Sequence, residues 1–223
     1  MPSPLCVLFD MDGTLVDTVP FILACVHHTF EGYGGGPTDS DWVAGIGTPL
    51  QDQLASFARR VEDVAALLER YRAFWRAHHD RLTHCFPGAL ETVAALSGAG
   101  HPLGIVTAKT ESSARRTLAH TGLLVHMGTV VGADSCPRCK PFPDPVLLAM
   151  DRLGAAPDRT VLVGDSVHDV AAAVAAGVRA LAAAWGAAPV EALRAAGAAR
   201  VLSDIRDLPG VVAVEEAAGA GRS

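Results

Sequence analysis

The chain has 223 residues, half of them hydrophobic, and a formal net charge of −6. That length suits one sizeable domain, or one domain carrying a smaller insert. No Lys/Arg stripe offers a nucleic-acid surface, and no basic stretch leads into a long apolar run at the N-terminus, so a soluble cytoplasmic protein with no nucleic-acid or membrane partner is expected.

The first element is the run "LCVLF", Leu5 to Phe9, short, apolar and closed by acids, which predicts a buried parallel strand. It delivers Asp10 and Asp12 to its own end, followed by Gly13 and Thr14. From Leu15 to about Phe86 no convincing strand occurs. "VPFILACVHHTFEGYG", "TPLQDQLASFARR" and "VEDVAALLERYRAFWRAHHD" read as amphipathic helices, and "GGPTDSD" reads as a loop between the first two. Within this region Arg59, Arg60, Arg72 and Arg76 read as solvated helix-face charges. His78, His79, His84 and Cys85 read as hinge or surface residues, because adjacent positions on a helix point to different sides.

From Pro87 onward strand and helix alternate, the signature of a parallel α/β sheet. "HPLGIVT", "GTVVGA", "RTVLVGD" and "VRALAAA" are the further strands, making five with the first. Between them "PGALETVAALSGAG", "ESSARRTLAHTG", "DPVLLAMDRLG" and "SVHDVAAAVAAG" close on glycine, as helices commonly do. The longest apolar stretch, "VAAAVAAGVRALAAAWGAA", is interrupted by Gly177, Arg179 and Gly186, so it reads as helix, turn and strand. Five cysteines make an odd count for a disulfide framework, and "CPRC" (Cys136–Cys139) lacks a second ligand pair for zinc, so both read as loop cysteines.

The expected organisation is an α/β Rossmann-like core over 1–15 and 87–213, a helical unit over 16–86, and a disordered tail over 214–223. Ligands of an open parallel sheet bind beyond the carboxyl ends of its strands. That rule gathers Asp10, Asp12, Thr107 and Asp165, with Asp169 one helical turn on and Lys140 from "CKPFPDP". Converging carboxylates repel unless a cation holds them, and hard oxygen ligands suit Mg²⁺. A phosphate then fits beside the metal, gripped by Thr107 and Lys140. Asp10 is placed to attack phosphorus, and Asp12 to act as acid and base.

"DMDGT", "VTAK", "KPFPDP" and "GDSVHD", in this order, resemble the four motifs of the haloacid dehalogenase-like hydrolase superfamily. The resemblance spans Leu5 to about Leu208. It implies a magnesium-dependent phosphatase working through an aspartyl-phosphate, with Asp10 the nucleophile and Asp12 the acid/base. It implies metal ligation by Asp10, the Asp12 main-chain carbonyl and Asp165, with Asp169 ligating or supporting, and phosphate binding by Thr107 and Lys140. Gly13, Thr14, Ala108 and Lys109 join the expected substrate contacts, and the helical unit resembles the family's closing cap. "GIGTPL" (Gly45–Leu50) is similar to the cap loop of phosphoglycolate phosphatases and related pyrophosphatases, and makes Thr48 a candidate contact. Phosphoglycolate is the first expected substrate and inorganic pyrophosphate the second. A β-phosphoglucomutase-like phosphotransferase and a non-enzymatic phospho-acceptor are the remaining alternatives. Ala108 stands where many relatives carry asparagine, which removes an amide from the site. Monomer and homodimer both fit the composition.

Overall fold

The computed structural model describes residues 4–220. Its centre is a six-stranded, wholly parallel sheet in the order β3-β2-β1-β4-β5-β6. The strands are β1 (Cys6–Phe9), β2 (Leu103–Val106), β3 (Thr129–Val131), β4 (Thr160–Gly164), β5 (Arg179–Ala183) and β6 (Arg200–Leu202). β1 lies between β2 and β4, pairing Val7 with Leu103 on one side and Val161 on the other. The strand order therefore reverses beside β1, and such a switch point leaves a crevice at the carboxyl ends.

The sheet side chains alternate between two apolar layers, as the two-residue strand period requires. Leu5, Val7 and Phe9 join one cluster with Val93, Leu96, Leu118 and Val212. Cys6 and Leu8 join the other with Val146, Met150, Val170 and Leu193. Helices α5 (Ala89–Gly98), α6 (Glu111–His120) and α10 (Leu208–Ala220) supply the first layer. Helices α7 (Asp144–Leu153), α8 (Val167–Ala175) and α9 (Val190–Ala195) supply the second. A strand so covered on both faces has no place for polar residues until it ends, which is where the acids stand.

Between β1 and α5 the chain forms α1 (Val19–Phe30), α2 (Asp39–Ala44), α3 (Leu50–Phe57) and α4 (Val64–Leu82). These helices have a core of their own, built on Phe21, Cys25, Trp42, Leu54, Leu67 and Tyr71. The two crossings to the sheet run side by side: Val16 bridges Cys85 antiparallel, the Asp17 amide donates to His84, and the Phe86 amide to Leu15. His79 is buried, with Nε2 2.9 Å from the Thr117 hydroxyl, and so joins α4 to α6 rather than facing solvent.

Three elements differ from the sequence reading. The segment read as the loop "GGPTDSD" contains the start of α2, whose Thr38 and Asp41 form a reciprocal capping box. β6 is a sixth strand, too short to show a period and held by its register on β5. Residues 214–220 continue α10 instead of forming a disordered tail: the Leu5 amide donates to Glu216 at 2.7 Å, and Arg179 pairs with Glu215 at 2.7 Å. The remaining tail positions, 221–223, lie outside the described residues. Among the described residues no helix is long and apolar enough to cross a membrane.

Candidate active site

Asp10 follows β1, Thr107 follows β2 and Asp165 follows β4, so three adjacent strands end at one point. Beyond them the chain must turn within a few residues. Gly13 does so at φ +80°, and a β-carbon there would collide with the Asp165 carboxylate. Thr14 sits behind the same acid: its hydroxyl donates to Asp165 Oδ1 at 2.8 Å, and its carbonyl accepts the Trp185 indole N–H at 3.0 Å. Gly13 and Thr14 thus shape Asp165 and do not line the open cleft. The Ala187 amide donates to Asp165 Oδ2 at 2.8 Å.

Lys140 is buried, its ammonium 2.9 Å from Asp10 Oδ1 and 2.6 Å from Asp169 Oδ1, and it also donates to the Val106 carbonyl at 3.0 Å. Burial by itself would lower its pKa, but Asp10 and Asp169 outweigh that and raise it, so it remains an ammonium. Asp169 is the third residue of α8, where its Oδ2 accepts from the Ser166 amide and hydroxyl while Ser166 Oγ caps the Asp169 amide. Both Asp169 oxygens are thereby engaged, one in the helix cap and one on Lys140.

Asp12 is held from two sides. The Thr18 hydroxyl donates to Oδ1 at 2.5 Å, and the Lys109 ammonium lies 2.7 Å from both oxygens. The Thr107 hydroxyl accepts the Lys109 amide at 3.2 Å.

Carboxylate oxygens of Asp10, Asp165 and Asp169 lie within 4.8 Å of one another, all buried. Burial, then repulsion by Asp169, pushes the Asp10 carboxyl well above its usual range, with Lys140 opposing. The same two causes push Asp165 up to about 7, against the Ala187 amide and Thr14 hydroxyl. A divalent cation relieves such crowding, and an all-oxygen donor set is what Mg²⁺ requires. The residues present fit that ion.

Above the acids opens a cleft of about 280 Å³. Its floor is Asp10, Asp12 and the loop Thr107–Lys109, and its roof comes from the helical insert through Trp42, Thr48, Tyr71 and Trp75. Thr48 reaches the cleft with its hydroxyl donating to the Gly45 carbonyl at 2.8 Å, and Ala108 lines the cleft as well. Gly47 lies against the core, where a β-carbon would press on Ser166 and His168. Arg72 is exposed, as expected from sequence, and it also lines the cleft. Its alignment with Leu68, Tyr71 and Trp75 along α4 was a legible signal, a charge inside an otherwise apolar stripe. Cys136 and Cys139 are free thiols in the loop before Lys140, and burial raises the pKa of each.

Comparison with known proteins agrees with this arrangement. Residues 7–183 match the family described as haloacid dehalogenase-like hydrolase. "Pyrophosphatase PpaX" of Bacillus velezensis is 38% identical over 180 residues, covering 80% of this chain and 82% of the relative. "Pyrophosphatase PpaX" of Halalkalibacterium halodurans is 40% identical over 178 residues, covering 78% and 80%. A hydrolase from Pseudomonas syringae of known crystal structure superposes with a TM-score of 0.84 at 25% identity, covering 94% of this chain and 98% of that one. With the parallel sheet, the acids at its switch point and the matched family in agreement, the chain belongs to the haloacid dehalogenase-like hydrolases.

Proposed function

We propose that this phosphatase is magnesium-dependent and hydrolyses a small phosphorylated metabolite through an aspartyl-phosphate on Asp10. The observation that carries the reading is the buried Asp10–Lys140–Asp169 row beside Asp165, with Asp12 poised next to it. Asp10 and Asp165, with the Asp12 main-chain carbonyl, would hold the ion, and Asp169 would support it from behind Lys140. When bound, the ion supplies positive charge that neutralises the phosphoryl oxygens and the crowded acids.

The chain's own groups then divide the work. An Asp10 oxygen attacks phosphorus, the bond from phosphorus to the leaving oxygen breaks, and Asp12 gives that oxygen a proton. Asp12 next takes a proton from water as the water attacks the aspartyl-phosphate, releasing phosphate and restoring Asp10. Lys140 fixes the nucleophile through its contact with Asp10 Oδ1, and the Thr107 hydroxyl and Lys140 ammonium orient the phosphoryl oxygens. The helical insert excludes water by roofing the cleft, and its paired crossings at Val16 and Cys85 are the natural hinge.

Inorganic pyrophosphate is the substrate we place first, ahead of phosphoglycolate, because relatives bearing the name pyrophosphatase are 38% and 40% identical to this chain. A cleft of about 280 Å³ supports a small substrate of this kind. Phosphate release should be measured with and without Mg²⁺ from both compounds and a panel of phosphomonoesters. Magnesium-dependent release with pyrophosphate foremost is expected. No release from any compound by folded, magnesium-loaded protein would overturn the reading.

A further inference from the structure

We infer that Arg72 selects substrates whose leaving group carries its own negative charge, a second phosphate or a carboxylate. This rests on the phosphatase reading above and adds to it the residue that reads the far end of the substrate.

The inference starts from α4. Leu68, Tyr71, Arg72 and Trp75 all line the cleft, at the spacing that places residues on one face of a helix. Three of these four are apolar or aromatic, so a guanidinium among them is out of keeping with a purely structural wall. Arg60, Arg70 and Arg76 of the insert have partners elsewhere, and Arg59 and Arg81 do not line the cleft. Arg76 pairs with Glu69 at 2.5 Å, Arg60 pairs with Glu62 and Asp63 at 3.4 Å, and Arg70 donates to the carbonyls of His28 and Glu31. Arg72 has no ion pair or hydrogen bond to another side chain or carbonyl among the described residues.

The acids of the cleft do not claim it. Asp10 is taken by Lys140 and Asp12 by Lys109, while Asp134 Oδ1 accepts the Glu111 amide at 2.7 Å. The roof therefore presents one uncommitted cation across the cleft from the nucleophile. An arginine suits this task because its fork binds a carboxylate or phosphate through two parallel hydrogen bonds. The neutral walls formed by Trp42, Ile46 and Trp75 keep the leaving group small, while Arg72 stays accessible to an incoming anion. A neutral alcohol in the same place would leave the guanidinium without a partner.

The test compares wild type with Arg72→Ala, Arg72→Lys and the control Arg76→Ala, on pyrophosphate, 2-phosphoglycolate and ethyl phosphate with Mg²⁺ present. Arg72→Ala should lower kcat/KM about tenfold or more for the two charged leaving groups, chiefly through KM, and less than about twofold for ethyl phosphate. Arg72→Lys should recover part of the loss, and Arg76→Ala should match wild type. An equal loss on all three compounds, or no loss, would overturn the assignment while leaving the phosphatase reading intact. If wild type hydrolyses none of them, the phosphatase reading fails, and calorimetric titration with methylenediphosphonate decides Arg72 separately. There, about tenfold weaker binding by Arg72→Ala supports the assignment, and equal affinity overturns it.

Discussion

The ammonium of Lys109 lies 2.7 Å from both carboxylate oxygens of Asp12, across 97 positions of sequence. With the Thr18 hydroxyl on Oδ1, this holds the Asp12 side chain from two sides. A group that must give and then take a proton gains from such restraint, because its oxygen stays within reach of the leaving atom. Lys109→Met removes the charge while keeping most of the stem. It should lower kcat about tenfold to a hundredfold with little change in KM for a neutral ester. Steady-state kinetics check this, and unchanged kcat would mean that Lys109 does not position Asp12.

Asp10→Asn preserves shape and deletes the nucleophile. Turnover should fall by about a thousandfold or more, while the circular dichroism spectrum and unfolding midpoint stay near wild type. Wild-type rates in this variant would sink the covalent route.

Lys140 stands between two buried acids, so Lys140→Met leaves Asp10 and Asp169 facing each other with no cation between them. Removing one partner from such a buried set costs about 3–5 kcal/mol, and urea unfolding of the metal-free protein should register a loss of that order. Adding Asp169→Asn to Lys140→Met should restore part of the stability, because it removes one of the stranded charges. A strictly additive second loss would count against the coupling.

The raised Asp10 and Asp165 carboxyls predict a pH dependence of definite sign. A carboxyl whose folded pKa lies above its unfolded value stabilises the protein fully below the unfolded value, and that contribution disappears as pH rises through the folded value. For Asp165 the window runs from the unperturbed value of 3.8 to about 7. The metal-free protein should therefore lose this contribution across that range. Added Mg²⁺ should raise Tm more at pH 8 than at pH 5, because the ion binds the ionised acids. Thermal melts at both pH values, with and without Mg²⁺, test it; an equal shift at the two would contradict the site.

Gly13→Ala combines a left-handed backbone, at φ +80°, with a β-carbon thrust at the Asp165 carboxylate. The backbone penalty alone is about 1 kcal/mol. The displaced carboxylate should raise the Mg²⁺ concentration for half-maximal activity about tenfold. A magnesium titration of the variant reads this directly, and an unchanged midpoint would place Gly13 outside the metal's support.

What the sequence determined by itself is the part governed by local rules. Alternating apolar runs and glycine-closed helices announced the parallel sheet, and the acids at "DMDGT" and "GDSVHD" announced which edge carries chemistry. Strand ends in a doubly wound sheet must converge, so Asp10, Thr107 and Asp165 group together from sequence alone. Local spacing could not tell which residues face the cleft and which stand behind it. Thr14 and Asp169 belong to the motifs, yet the first supports Asp165 from below and the second is spent on Lys140 and the α8 cap. Arg72 belongs to no motif and lines the cleft, whereas Arg76, four residues on, pairs with Glu69 on the outside. The short strand β6 and the ordered end of α10 escaped for a related reason. Each is held by partners far away in the chain, Leu181 and Ala182 for β6, Leu5 and Arg179 for α10. A three-residue strand carries too little period to announce itself, and an alanine-rich end shows no apolar stripe until another element is packed against it. Tertiary structure decided these positions because long-range contact, rather than local propensity, supplies the free energy that orders them.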